Sequence, residues 1–146
     1  MKAVVLVGGS GTRLRPLTTQ IPKPMLPVVN RPFLEHVIGH LRGYGFCDIV
    51  LLTCHLHEVI EEHFGDGVAY GISLTYVVEE KDPLGTAGAV KNAESLLTEP
   101  FIVCNGDILT DLNLDAMLAF HQEKQARATI SLAPVDDPTA YGLVQL

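Results

Sequence analysis

The sequence predicts an α/β domain built on a mostly parallel sheet with helices on both faces, and three observations carry that expectation. Short runs rich in Val, Ile and Leu recur along the chain, and stretches with helical apolar spacing lie between them. Two of the runs end in glycine-containing loops, Gly8-Gly9 and Gly106-Asp107. The 146 residues, 47% hydrophobic and 18% charged, suit one compact domain with a real core.

Taken in order, Lys2 to Val7 is a β-branched run that stops at Gly8-Gly9, a buried strand running into a tight loop. Phe33 to Leu41 places Phe33, Val37, Ile38 and Leu41 on one helical face, and Tyr44-Gly45 closes that helix before the strand Ile49 to Thr53. His55 to Phe64 reads as a second amphipathic helix. In Ile72 to Val78, Ile72, Leu74 and Tyr76 alternate with Ser73 and Thr75, the period of a strand. A helix over Ala87 to Leu97, a buried strand over Phe101 to Asn105, a helix over Leu114 to Gln125 and a strand over Thr129 to Ala133 complete the pattern. Such alternation predicts right-handed crossovers and ligands at the carboxyl ends of the strands. Phosphate-ready backbone after the first strand and a carboxylate after Asn105 would then meet at one edge.

Composition excludes several classes. A net charge of -7 argues against a nucleic-acid binder, which normally carries a basic face. No apolar run approaches the ~20 residues needed to span a bilayer, and the first residues are too short a run for a signal peptide, so the chain is read as cytoplasmic with no membrane partner. Cys47, Cys54 and Cys104 are odd in number and lack CxxC spacing, which favours buried free thiols over a disulfide framework. Charge is unevenly spread: residues 1 to 34 hold five bases (Lys2, Arg13, Arg15, Lys23, Arg31) and no acid. An anion site near the N-terminus would look like this.

Gly8, Gly9 and Gly11 leave backbone N–H groups uncovered for a polyanion, and Arg13 adds a fork of donors that matches phosphate oxygens. Lys23 follows in the rigid frame Pro22-Lys23-Pro24. Neither standard phosphate motif is present. Walker A would need Gly-Lys-Ser/Thr, whereas this loop ends Gly11-Thr12-Arg13, and GxGxxG fails at Leu14. The alternative is a glycine turn beside a surface arginine.

Together GGSGTRLRPLT, PKPMLPV, PLGTAGA and NGD resemble the sugar-1-phosphate nucleotidylyltransferases, or nucleoside-diphosphate-sugar pyrophosphorylases, along the whole chain. Within that family the sequence looks most like the mannose-1-phosphate guanylyltransferase branch. The resemblance implies a Rossmann-like nucleotidyltransferase fold and a reaction in which a nucleoside triphosphate and a sugar 1-phosphate give a nucleotide sugar and pyrophosphate. It implies nucleotide contacts from Leu6, Gly8, Gly9, Gly11, Thr12, Arg13, Glu80, Gly85 and Thr86, catalytic roles for Arg13 and Lys23, and Mg²⁺ held by Asp107.

The chemistry agrees with what the sequence lacks. An ionised phosphate oxygen is its own nucleophile, so the missing Ser/His/Asp pattern is expected, and the work falls to cations that hold two polyanions together. Asp107, after a strand and a glycine, is a hard oxygen donor suited to magnesium; its alternative is a turn residue, the role that fits Asp111 and Asp115. Glu80, five residues before Gly85, can accept two parallel hydrogen bonds from guanine N1–H and the N2 amino group, whereas uracil and thymine offer one donor between two carbonyls. Alternatively Glu79, Glu80, Lys81 and Asp82 form a solvated charged loop. His36 and His40 lack companion ligands and HLHEVIEEH is not HExxH, so no zinc site is expected.

By the same resemblance the chain is the N-terminal, nucleotide-binding part of a longer catalytic domain: a downstream Glu-Lys-Pro segment for the sugar phosphate and a later metal-binding Asp are not in it. It is therefore expected to bind triphosphate without releasing pyrophosphate, and to self-associate as a homo-oligomer through an apolar edge near Tyr141 to Leu146. A non-catalytic nucleotide-binding module or partner subunit is the other reading.

Overall fold

The computed structural model describes residues 1–9, 11–79, 84–137, 139, 142 and 144. The chain divides into two units, Met1–Thr110 and Asp111–Leu146. In the first, β1 (Lys2–Leu6) is followed by a two-strand hairpin of β2 (Pro27–Val28) and β3 (Arg31–Pro32), then α1 (Phe33–Gly43), β4 (Asp48–Thr53), α2 (His57–Phe64), β5 (Ser73–Val78), α3 (Gly85–Asn92) and β6 (Phe101–Asn105). The four longer strands form one sheet in the order β5-β4-β1-β6, every neighbour parallel.

Alternate residues of these strands point to opposite faces, and both faces are covered at β1 and β4, whereas β6, expected to be buried, leaves Phe101 and Val103 exposed. On one face, Val4, Val50 and Leu52 form a core with Ala89 of α3 and Ala93, against which Leu6, Val77, Val90, Leu96 and Leu97 pack. On the other, Val5 and Leu51 are equally shielded from water. Tyr76, in register with Leu51, donates its hydroxyl to the Gly65 carbonyl at the end of α2 at 2.7 Å. Burying one aliphatic side chain contributes about 1.5–3 kcal/mol, so β1 and β4, buried on both faces, anchor the unit.

Local signals set the helix limits. In α1 the buried residues are Leu34, Val37, Ile38 and Leu41, the i, i+3, i+4, i+7 stripe, with Leu34 in the place expected for the half-buried Phe33. Its end is closed as Gly45 adopts φ 81° and the Gly45 and Phe46 amides donate to the Arg42 and Leu41 carbonyls. The helix expected over Ala87 to Leu97 begins earlier, at Gly85, and gives way to a single 3-10 turn at Glu94–Leu96.

The second unit holds α4 (Leu114–Glu123). Its cap is Asn113, whose Oδ1 accepts the Ala116 N–H at 3.0 Å; Asp115 lies in the first turn and Asp111 outside the helix. Thr129 to Ala133, expected as a strand, forms none, and Ile130 is 75% exposed. A short apolar run becomes a strand only by pairing with a neighbour, and these residues join neither sheet. The edge expected near Tyr141 to Leu146 lies largely outside the described residues, which include only Gly142 and Val144 of it. The cysteines are free, but Cys47 is exposed rather than buried, while burial pushes the Cys104 thiol up to about 11. Among the described residues no helix is long and apolar enough to cross a membrane.

The β2-β3 hairpin turns on Val29 and Asn30, both left-handed, at φ 50° and 63°. A β-branched side chain is strained there, and Val29 is 84% exposed, so it gains little by burial. Val29→Asn is expected to stabilise the protein by about 1 kcal/mol, a rise in melting temperature of roughly 2–4 °C. A thermal melt showing a fall instead would contradict the left-handed turn.

Candidate functional site

The sheet order places the site. From β1 the chain winds outward through β4 to β5 and then crosses back so that β6 lies against the other side of β1. The crevice beyond the carboxyl ends of β1 and β6 is the switch point where open α/β sheets bind ligands. Leu6 and Asn105 are in register at the ends of these two strands, and the Gly106 amide donates to the Leu6 carbonyl at 2.9 Å. The glycine loop after β1 and the Gly-Asp after β6 therefore start side by side.

A cavity of about 280 Å³ opens there. Of the residues singled out from the sequence, it brings together Leu6, Gly8, Gly9, Lys23, Gly85, Thr86 and Asp107. Gly11, Thr12 and Arg13 do not line it. Thr12 and Arg13 belong to a 3-10 turn, Thr12–Leu14, in which the Arg13 side chain is exposed. Ser10, within the glycine loop, and Glu80, the expected base reader, lie outside the described residues. The carboxylate that does line the cleft in that segment is Glu79, whose Oε2 accepts the Leu84 N–H at 3.1 Å.

Sequence reasoning also missed Val7, Pro24, Leu52, Ala89, Asn105 and Gly106 as lining residues. Two left a signal: Leu52 sits at the carboxyl end of a predicted strand, and Ala89 is one helical turn beyond Gly85. Asn105 and Gly106 directly precede the aspartate that was read.

Charge in the cleft is concentrated in one contact. Lys23 Nζ and Asp107 Oδ2 are 2.5 Å apart, with side chains 33% and 38% exposed. At that exposure the pair contributes at most about 1 kcal/mol, because water screens both partners. A polyanion or a cation arriving in the cleft therefore competes with a weak contact. Among the described residues no three His, Cys, Asp or Glu side chains gather into a metal cage. His36, one of the pair four apart, has its Nε2 within 2.9 Å of the Val28 carbonyl oxygen.

Fold and cleft thus define an α/β protein with a parallel central sheet and a cavity at its switch point. The chain belongs to the nucleotidyl transferase family, whose pattern it matches over residues 2–146. It is 46% identical to mannose-1-phosphate guanylyltransferase of Mycobacterium tuberculosis over 143 residues, 97% of this chain and 40% of that protein. Two solved structures share the fold. HddC from Yersinia pseudotuberculosis, complexed with GMP-PN, superposes with TM-score 0.74 at 31% identity, covering 82% of this chain and 53% of that one. UDP-glucose pyrophosphorylase complexed with UDP-glucose gives TM-score 0.70 at 26% identity over 85% of this chain and 54% of the other. The chain spans about 40% of the length of the guanylyltransferase it matches.

Proposed function

We propose that this chain is the nucleotide-binding part of a cytoplasmic enzyme that transfers a nucleotidyl group from a nucleoside triphosphate, GTP in preference, to a sugar 1-phosphate. The observation that carries this reading is the convergence of Gly8-Gly9, Lys23, Asp107 and the start of α3 on one cleft at the β1/β6 switch point. Membership of the nucleotidyl transferase family supports it.

In such a transfer an oxygen of the sugar phosphate forms a bond to the α-phosphorus, the bond from that phosphorus to the β-bridging oxygen breaks, and the electron pair leaves with pyrophosphate. No protein base is needed, since the attacking oxygen is already ionised. Gly8 and Gly9 present a surface without side chains to the phosphates, and Lys23 supplies the positive charge inside the cleft. Arg13, on its exposed turn, would meet the outer phosphates only as the triphosphate extends past the lining residues.

Asp107 fits Mg²⁺: it is an oxygen-only donor, partly open to water, and this cation keeps several waters while taking only one or two carboxylates. When bound, the ion neutralises charge on the phosphates. Glu80 would accept the two guanine donors, and Glu79, by tying down the Leu84 amide, would hold the far end of the same loop.

Parallel calorimetric titrations with GTP, UTP and dTTP test the reading. GTP is expected to bind at least about tenfold more tightly, the scale of one charge-assisted hydrogen bond, and Glu80→Gln to shrink the gap. No binding of any triphosphate would refute the nucleotide site. A pyrimidine preference would refute the guanine assignment alone.

A further inference from the structure

Thr18 is a buried polar residue in a stretch that is otherwise mostly exposed loop. It is 3% exposed, and its hydroxyl donates to the Gly11 carbonyl at 2.8 Å, across seven residues of chain. The same carbonyl accepts the Leu14 N–H at 2.9 Å, the bond that closes the turn carrying Arg13. Both lone pairs of Gly11 oxygen are thereby used. Gly11 itself holds φ 59°, and a Cβ there would sit 3.0 Å from Thr18 Cγ2 and 3.3 Å from Lys23 Cβ. The glycine loop, the threonine and the stem of the cleft lysine meet at one point.

We infer that Thr18 is a positioning residue for polyphosphate: its hydroxyl fixes the Arg13 turn at the point where Gly11 comes close to both Thr18 and the stem of Lys23, so that two separate cationic segments move as one. This inference rests on the phosphate-binding reading above and deepens it. Physically, a loop that must order itself around a polyanion loses affinity through that ordering, and a pre-formed tether removes the loss. Thr18 need not touch the ligand to act. Its contribution should appear only for ligands that engage the phosphate segments, since the tether joins Thr18 to the Gly11 carbonyl, beside the stem of Lys23.

The test uses inorganic tripolyphosphate and guanosine as separate probes of the full chain, titrated by calorimetry. Thr18→Val keeps the shape and removes the hydrogen bond; it is expected to weaken tripolyphosphate binding about tenfold and to leave guanosine unchanged. Thr18→Ser keeps the hydroxyl and is expected to stay within about threefold of the parent. In an Arg13→Ala background the Thr18→Val loss should shrink, because the turn it fixes has lost its cation. Should Thr18→Val melt below the assay temperature, Thr18→Ala, which also removes the hydroxyl, replaces it with the same expectation.

Equal tripolyphosphate affinity in parent and Thr18→Val would overturn the inference while leaving the phosphate site standing. So would a Thr18→Ser loss as large as that of Thr18→Val, or a parallel loss for guanosine, either of which would mark a merely structural residue. Absence of tripolyphosphate and GTP binding in the parent would overturn both readings together.

Discussion

Gly106→Ala is expected to lower the melting temperature by roughly 6–12 °C, the equivalent of about 3 kcal/mol in a domain of this size. The added Cβ would lie within 2.3 Å of Val7 Cγ1 and 3.2 Å of both the Leu6 carbonyl oxygen and Val5 Cγ1. None of these can yield cheaply. Val5 and Val7 are buried, at 0% and 3% exposure, and Leu6 oxygen is held by the ladder bond from the Gly106 amide itself. Relief would require β6 to draw away from β1 at the point where Asn105 and Asp107 meet the glycine loop. Both stability and ligand binding should suffer. Gly9→Ala is the control: a Cβ at that position meets nothing within 4 Å, and its melting temperature is expected within about 2 °C of the parent. Thermal melts of the two variants side by side decide it, and a Gly106→Ala protein that melts with the parent would mean that the strands do not approach this closely.

The contrast between these two glycines shows what the sequence discloses and what it withholds. Both stand after apolar strands in glycine-containing loops, and both were legible as loop residues. Only the register of β1 against β6 reveals that one faces open space and the other a valine. The sheet was legible because its central strands β1 and β4 are buried on both faces, and continuous runs such as Ile49 to Thr53 have few other ways to lose contact with water; the strand expected to be buried over Phe101 to Asn105 is instead half open, with Val103 40% exposed. Thr129 to Ala133 was misread as a strand because five residues of strand-like composition state no pairing partner, and in the structure they join neither sheet. The hairpin at Pro27 to Pro32 escaped notice because its strands are two residues long and rich in proline, which removes the usual signal. Within the site, contiguous motifs pointed to Gly8, Lys23, Gly85 and Asp107, whereas Glu79 lines the cleft through backbone placement that no motif states, and Asn105, though within NGD, was given no role. Arg13 was read as a phosphate-binding catalytic cation, with a surface arginine as the alternative; its 3-10 turn leaves the side chain exposed and outside the residues that line the cleft.

Lys23→Ala should weaken triphosphate binding about 10- to 100-fold, more than any single substitution outside the cleft. Charge-assisted contacts to phosphate contribute ~1.5–3 kcal/mol each, and among the described residues that line the cleft this lysine is the cation. Its loss also leaves Asp107 unpaired and facing the incoming anion, so repulsion adds to the missing attraction. Asp107→Ala separates the two terms. Without divalent cation, measured in EDTA, it should bind triphosphate several-fold more tightly than the parent, because Lys23 is released from its 2.5 Å contact and one negative charge leaves the cleft. With Mg²⁺ the sign should reverse, since the carboxylate proposed to hold the cation is gone. Neither substitution should unfold the chain, as the pair is about one-third exposed and contributes at most about 1 kcal/mol. Calorimetry in both buffers reads the crossover directly. If Asp107→Ala shifts affinity in the same direction with and without Mg²⁺, the aspartate is a partner of Lys23 and not a metal ligand. If Lys23→Ala binds triphosphate as the parent does, the phosphates do not lie where Gly8, Gly9 and Lys23 meet.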